Sequence, residues 1–522
     1  MVAAAALAVA TGSAGAIVAA GATYQDDALT AQAVVVNPVR HQPLQEPPVI
    51  RSRGGVAELD LDSRTAVTTI AGSRAISNTY NAMAPGPTVE ISPGDIFKVR
   101  LKNGGQYGEP TNIHTHGLHD SPRSPGDNVF LNIPTGGAIR YRHAIPEDHI
   151  PGLYWYHPHR HEFTQTQVFA GQAGAIIVKG GLDDIPGVGD VRDRLLIYQA
   201  IQFDKDGRPI RTPSNSAPAK QLNLINGQLE PDIDIRPGET QRWRIMNLSS
   251  DRFLVLRLQG HRMWMLADDG NPLAAPEPVT TQMLGPGERR EVLVRAGNRP
   301  GRFKLQSLFF MQVRAQPSYS APTRDIATMV VSGPRASSPP LPKKLLPMPD
   351  LRKEPVARRR RIVFGESHTS PKFYVNGKLF SADRIDQTMK LGTVEEWTVV
   401  NTTDEWHTFH IHVNPYQMIK VNGKPVKGVV YNDDVVIAPY GGSFTMRTKF
   451  KDFTGKFVFH CHVLFHEDHG MMSTVQVVRF GAPGAPRSPA ARAWPWPRAA
   501  RWRCWPRAPR WARSSRCRRR SR

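Results

Sequence analysis

The chain has 522 residues, 40% of them hydrophobic and 21% charged, a balance that builds packed domains and excludes a wholly disordered or collagen-like chain. Its formal net charge of +22 would suggest a nucleic-acid partner, but thirteen arginines and no acid lie in residues 481–522, so more than half of the surplus belongs to one terminal segment. Cys504 and Cys517 fall in that segment too, so the body holds a single cysteine, Cys461, and a disulfide framework is excluded there.

Residues 1–22 are small and apolar and end at Ala20-Gly-Ala22, which reads as the apolar part of a secretory signal. The expectation is an exported protein, periplasmic or extracellular, with no transmembrane segment, since no other stretch is long and apolar enough. After a proline-rich lead from Asn37 to Pro48, strand-like runs begin near Val49. Long helical periodicity is scarce and Gly and Pro are plentiful, which predicts an all-β protein.

A long-period repeat then organises the body. Ser92-Pro-Gly-Asp-Ile-Phe-Lys-Val-Arg-Leu-Lys-Asn103 returns as Arg236-Pro-Gly-Glu-Thr-Gln-Arg-Trp-Arg-Ile-Met-Asn247, and more loosely as Lys390-Leu-Gly-Thr-Val-Glu-Glu-Trp-Thr-Val-Val-Asn401. Each copy is a glycine turn followed by an alternating strand that ends at asparagine. The spacing predicts three tandem Greek-key β-sandwich domains, at 49–180, 190–335 and 360–480, with linkers near 180–191 and in the Pro/Lys/Arg-rich stretch 333–361. Gly152-Leu-Tyr-Trp-Tyr-His157 and Gly455-Lys-Phe-Val-Phe-His460 share one pattern, which the middle copy, Gly301-Arg-Phe-Lys-Leu, keeps without its histidine. The outer two domains are therefore expected to hold a metal site and the middle one not. Residues 481–522, rich in Arg, Pro and Trp, read as a disordered or out-of-frame tail with no specific nucleic-acid role.

Ten of the eighteen histidines gather in four clusters: His114 and His116, His157 and His159, His407, His410 and His412, then His460, His462 and His466. One HxH pair is weak evidence for anything. Four, with Cys461 bracketed by two of the histidines, point to metal. A thiolate from Cys461, an imidazole from His466 and a distant thioether from Met471 form the donor set of a blue-copper electron-transfer site. Neighbours on a strand point to opposite faces, so His460 and His462 turn away from the side that carries Cys461 and can serve other metal ions.

This constellation resembles the multicopper oxidases, the laccase-like family of three cupredoxin domains, over roughly residues 49–480. The resemblance implies four copper ions. A type 1 copper would be held by His407, Cys461 and His466 with Met471 axial, and a type 2 copper by His114 and His410. Two type 3 coppers would take His116, His157, His159, His412, His460 and His462. It implies one-electron oxidation of a small reductant, electron transfer through Cys461, and reduction of dioxygen to water. Asp127 matches the family's acidic position, and Glu467 adjoins His466. Both are candidates to deliver protons, against a plainer role of orienting histidines. Two departures stand out: Thr408 where the family often has proline, and Pro158 where it often has serine.

On substrate, the fourteen methionines are scattered, which counts against Cu(I). Asp433-Asp434 and Glu467-Asp468 are the acidic pairs that Fe(II) or Mn(II) would need in the later half of the last domain, though Asp433 and Asp434 could instead solvate a loop or orient the blue-site histidines. Phenols and aromatic amines need only an apolar cleft, so their oxidation by a monomeric enzyme is the expectation. Metallo-oxidation is the alternative.

Overall fold

A computed structural model describes residues 37–105, 108–210, 218–314 and 316–479. The signal-like segment 1–22 and the tail 481–522 lie outside the described residues. Half of the chain is strand and 5% is helix, so the fold is all-β, as three cupredoxin-like sandwiches in tandem. Among the described residues no helix is long and apolar enough to cross a membrane.

Each sandwich is two sheets closed over its own apolar layer. In the first, Val56–Ile70 runs parallel to Ile96–Gly105 and faces a second sheet containing Gly152–His157 and Gly174–Val178. Alternation along Ile96–Gly105 sends Phe97, Val99 and Leu101 inward, against Tyr141 and Ile176. Trp243, Ile245, Val292 and Val294 fill the middle sandwich. Trp397, Phe409, Phe459 and Cys461 share the core of the last. Each fully buried large side chain contributes roughly 1.5–3 kcal/mol.

The repeated asparagine has a physical reason. Asn103, Asn247 and Asn401 are all fully buried at a strand end. Asn103 Nδ2 donates to the Glu109 and Ile133 carbonyls, Asn247 Nδ2 to those of Arg252 and Leu284, and Asn401 Nδ2 to those of Glu405 and Ala438. The same amide thus ties the strand to the following loop in all three copies. Nine residues earlier the chain turns at Gly94, Gly238 and Gly392, with φ of +87°, +77° and +81°, a region that favours glycine.

The segments expected to link the sandwiches are themselves packed. Gly181–Asp184 forms one 3-10 turn, and its Asp183 accepts from Arg242 (2.6 Å) and Arg244 (2.8 Å) of the middle sandwich. Leu341, Leu345 and Leu346, in the proline-rich stretch 333–361 between the middle and last sandwiches, join the layer around Leu266, Leu273 and Leu293.

Candidate metal centres

The strand Gly455–Cys461 lies between Met472–Val478 and His407–Ile411, with Phe409 opposite Cys461 and His410 opposite His460. This central place buries every side chain at its end. The alternation expected from sequence appears directly: Cys461 faces His407 and His466, while His460 faces His159 and His412.

At Cys461, His407 Nδ1 lies 3.3 Å from Sγ and 3.0 Å from His466 Nδ1, and His466 Nδ1 is 3.7 Å from Sγ. The outer nitrogens are already engaged, His407 Nε2 with Thr403 Oγ1 (2.8 Å) and His466 Nε2 with a Glu405 carboxylate oxygen (3.2 Å). Thr403 also bonds Asn401 Oδ1, so the repeated asparagine helps to aim a ligand. Both rings therefore turn Nδ1 inward toward the sulfur. Burial holds the His407 imidazole well below its usual pKa, with His466 adding to the effect, and burial pushes the Cys461 thiol up. Two converging imidazole nitrogens and a sulfur, all buried, fit a soft cation that would hold the sulfur as thiolate. Met471 is fully buried in the same apolar layer, and its backbone carbonyl accepts from Cys461 N. Thr408 faces Gly285 of the middle sandwich, and its hydroxyl has no partner among the described residues.

Around His460 and His462, the immediate neighbours of Cys461, eight histidines from the first and last sandwiches converge. All are at most 1% exposed. Rings from the two sandwiches stack in pairs, His114 on His412 (3.8 Å, 14°) and His116 on His410 (3.7 Å, 16°). His159 Nε2 and His412 Nε2 stand 3.1 and 3.2 Å from His460 Nε2. Among the described residues, His114 Nε2, His116 Nδ1, His157 Nε2, His410 Nε2 and both nitrogens of His462 lack a hydrogen-bond partner. Burial, reinforced by the neighbouring imidazoles, depresses the pKa values of His114, His116, His157, His159, His460 and His462, so each is a neutral lone-pair donor. So many unpartnered buried nitrogens facing one another would be costly without cations between them, and the donor set fits copper.

Polar groups behind the rings fix which nitrogen faces in. Both Asp127 oxygens contact His114 Nδ1, at 2.9 and 2.8 Å, and Oδ1 also accepts from Thr115 N. Glu467 lies 3.5 Å from His159 Nδ1 and 3.2 Å from His460 Nδ1, fully buried. Burial, and then Asp468, push its carboxyl well above the usual range. Of the other histidines, His143 is buried against Asp120 (2.5 Å), and His119 bonds Asp452 (2.8 Å).

Asp433-Asp434 and Glu467-Asp468 are buried behind the histidines, where an orienting role places them, and not at a surface where a hard cation could reach them. Two further features escaped the sequence reading. The carboxylate that does reach His466 is Glu405, with Glu366 beside it; burial, a bond to Asp404 and the Glu405 charge raise Glu366 to about 8. Arg289, from the middle sandwich, is fully buried against Asp433. Neither carries a local motif, since each contact joins residues far apart in the chain.

Family models described as multicopper oxidase match residues 63–182, 197–328 and 353–480. The multicopper oxidase mco of Staphylococcus haemolyticus is 26% identical over 419 residues, covering 77% of this chain and 84% of that protein. The cell division protein FtsP of Escherichia coli is 28% identical over 395 residues, covering 74% and 81%. A solved multicopper oxidase from Campylobacter jejuni, described as a metallo-oxidase, superposes with a TM-score of 0.75 at 27% identity, covering 86% of this chain and 98% of that one. Three matched segments, in the order and place of the three sandwiches and the two histidine centres, carry one conclusion. The chain belongs to the multicopper oxidase family and is a copper-dependent oxidoreductase that uses oxygen as acceptor.

Proposed function

We propose that the chain couples one-electron oxidation of phenols or aromatic amines to four-electron reduction of dioxygen to water. The observation that carries this is the double service of one strand end: Cys461 faces His407 and His466, while His460 faces the histidine cluster. In this reading His407, Cys461, His466 and Met471 would hold a type 1 copper. His114 and His410 would hold a type 2 copper, and His116, His157, His159, His412, His460 and His462 would hold two type 3 coppers. Copper supplies reversible one-electron chemistry at the first site and oxygen reduction at the second.

The residues do the rest. His466 forms part of a cleft wall with Val313, Tyr319, Phe465 and Glu405, where a reductant meets its ring edge. Oxidation of a phenol releases a proton, and Glu405 is a carboxylate at that edge able to accept it. Cys461 joins the cleft to the cluster through its peptide links to His460 and His462. Asp127 holds His114 in one tautomer, and Glu467, whose carboxyl burial pushes well above the usual range, is the candidate to give up a proton as oxygen is reduced.

A second reading, oxidation of Cu(I), Fe(II) or Mn(II), is favoured by the same Glu405 with Glu366 beside it, since paired carboxylates suit hard cations. Among the described residues no methionine lines this cleft, which disfavours Cu(I). Oxygen uptake by the copper-loaded protein decides between them. Phenols should give the higher kcat/KM, and Glu405→Gln should lower it through kcat. Saturation by Fe(II) or Mn(II) with phenols slow, and a KM for the ion that rises in Glu405→Gln, moves the assignment to metallo-oxidase. We further read the chain as an exported monomer divided at 49–180, 190–335 and 360–480. Signal cleavage after Ala22 and the mass in solution test those points.

A further inference from the structure

The middle sandwich supplies none of the proposed ligands, yet one of its side chains reaches the centre. Arg289 lies on the strand Arg289–Arg295 and is fully buried. Its Nη1 and Nη2 donate to the two oxygens of Asp433 at 2.5 and 2.7 Å, and Nη1 also to Asp434 Oδ2 at 3.1 Å. Nε donates to the Leu153 carbonyl of the first sandwich (3.1 Å), and Nη2 to the Asp269 carbonyl of its own (3.1 Å). One guanidinium therefore bonds all three sandwiches. Gly117, directly after the first histidine pair, leaves it room: a Cβ there would stand 2.5 Å from Arg289 Nη2 and 2.6 Å from Asp433 Oδ2.

The two acids it grips are themselves attached to histidines. Asp434 Oδ2 lies 2.6 Å from His116 Nε2, and the Asp433 carbonyl accepts from His410 Nδ1 at 3.0 Å. From the other side Asp269 Oδ2 accepts from Asp434 N at 3.0 Å. The segment is held at its backbone by one middle-sandwich residue and at its carboxylates by another. His116 and His410 come from different sandwiches and stack at 3.7 Å, and their remaining nitrogens, His116 Nδ1 and His410 Nε2, are the unpartnered ones that face the cluster. An imidazole that donates through one nitrogen presents a lone pair at the other, so whatever fixes the acid fixes the tautomer.

We propose that Arg289 is a positioning residue for the oxygen-reducing centre, holding His116 and His410 in ligating orientation through Asp434 and Asp433. The ligand-free middle sandwich is then a working part of that centre rather than a spacer. The planar fork is needed as well as the charge: a lysine cannot engage both Asp433 oxygens while meeting Asp434. The proposal rests on the copper assignment above, and the test separates the two.

Copper-loaded wild type, Arg289→Lys and Asp434→Asn would be compared by copper content, affinity, thiolate-to-copper absorption, and the electron paramagnetic resonance of the type 2 copper. A wild type without blue absorption or a type 2 signal sinks the copper assignment itself. With both present, Arg289→Lys should keep the blue absorption but shift the type 2 hyperfine pattern, with copper affinity at the cluster about 10–100-fold weaker. Asp434→Asn, which keeps the side-chain shape, should weaken copper binding at the cluster through His116 and serves if Arg289→Lys does not fold. Copper affinity unchanged in Asp434→Asn, or a type 2 spectrum and copper affinity unchanged in a folded Arg289→Lys that merely melts lower, would overturn the proposal and leave Arg289 a structural bond.

Discussion

Cys461 is one atom deep in two functions, as the sulfur of one centre and the covalent neighbour of two histidines of the other. Serine in its place keeps the size and removes the soft donor. Cys461→Ser is therefore expected to lose the intense blue absorption and essentially all oxidase turnover, while copper at the histidine cluster, which does not touch the sulfur, remains bound. Absorption and copper analysis on one sample check this; a blue or active variant refutes the assignment. Asp127 poses a finer question, because both its oxygens already contact His114. Asp127→Asn should keep the blue absorption and slow reoxidation by oxygen roughly 10–100-fold. Copper lost in the same proportion as activity, measured on the same preparation, would assign Asp127 to orientation alone. At this scale the sequence displays donors well, since a lone cysteine among histidines is conspicuous. It hides the groups behind them: Glu405 approaches His466 from 61 positions away, and Arg289 approaches Asp433 from 144.

At the scale of elements, the glycine-to-asparagine repeat was readable because the same local geometry is needed three times. What the repeat is for appears only in three dimensions, as an amide tying a strand end to loop carbonyls in the same sandwich. Asn247 isolates this role, since the middle sandwich contributes no proposed ligand. Its amide serves the Arg252 and Leu284 carbonyls and accepts from Ser249. Asn247→Ala removes these hydrogen bonds, though the Arg252 carbonyl keeps the Ser249 hydroxyl, and should cost roughly 3 kcal/mol, at about 1–3 kcal/mol for each buried group left short of a bond. Denaturant unfolding monitored by tryptophan fluorescence measures the loss, and copper content of the folded fraction should be unchanged. A cost below about 1 kcal/mol would mean that the loop is held elsewhere. The proline-rich stretch shows the opposite limit. Composition marks it as a linker, but Leu341, Leu345 and Leu346 bury themselves against the middle sandwich, a choice set by a distant apolar surface.

For the whole molecule, the histidine cluster requires the first and last sandwiches to face each other, and the middle one reaches that junction through Arg289. Part of its attachment to the first sandwich runs through Asp183, on the turn between them, which accepts from Arg242 and Arg244 and is 15% exposed at its side chain. Burial works against the Asp183 charge, but Arg244 and Arg242 outweigh it and hold the carboxyl well below its usual range. A carboxylate whose folded pKa is depressed adds stability above its unfolded pKa, near 3.9, and loses that contribution as pH falls toward the folded value. Asp183→Asn leaves two buried guanidiniums short of one partner, though Glu291 still serves both. The expected cost at pH 7 is about 2–4 kcal/mol, the lower part of the range for a broken buried pair because Glu291 remains and the carboxyl is not fully enclosed. The gap between wild type and variant should be constant from pH 8 down to about 5 and narrow below pH 4, because only the wild type has this carboxylate to lose. Unfolding free energies across that range, with the apo protein used so that copper does not titrate, give the answer directly. A gap that widens in acid, or is absent at neutral pH, would mean that the turn is fastened by its backbone packing and not by this charge.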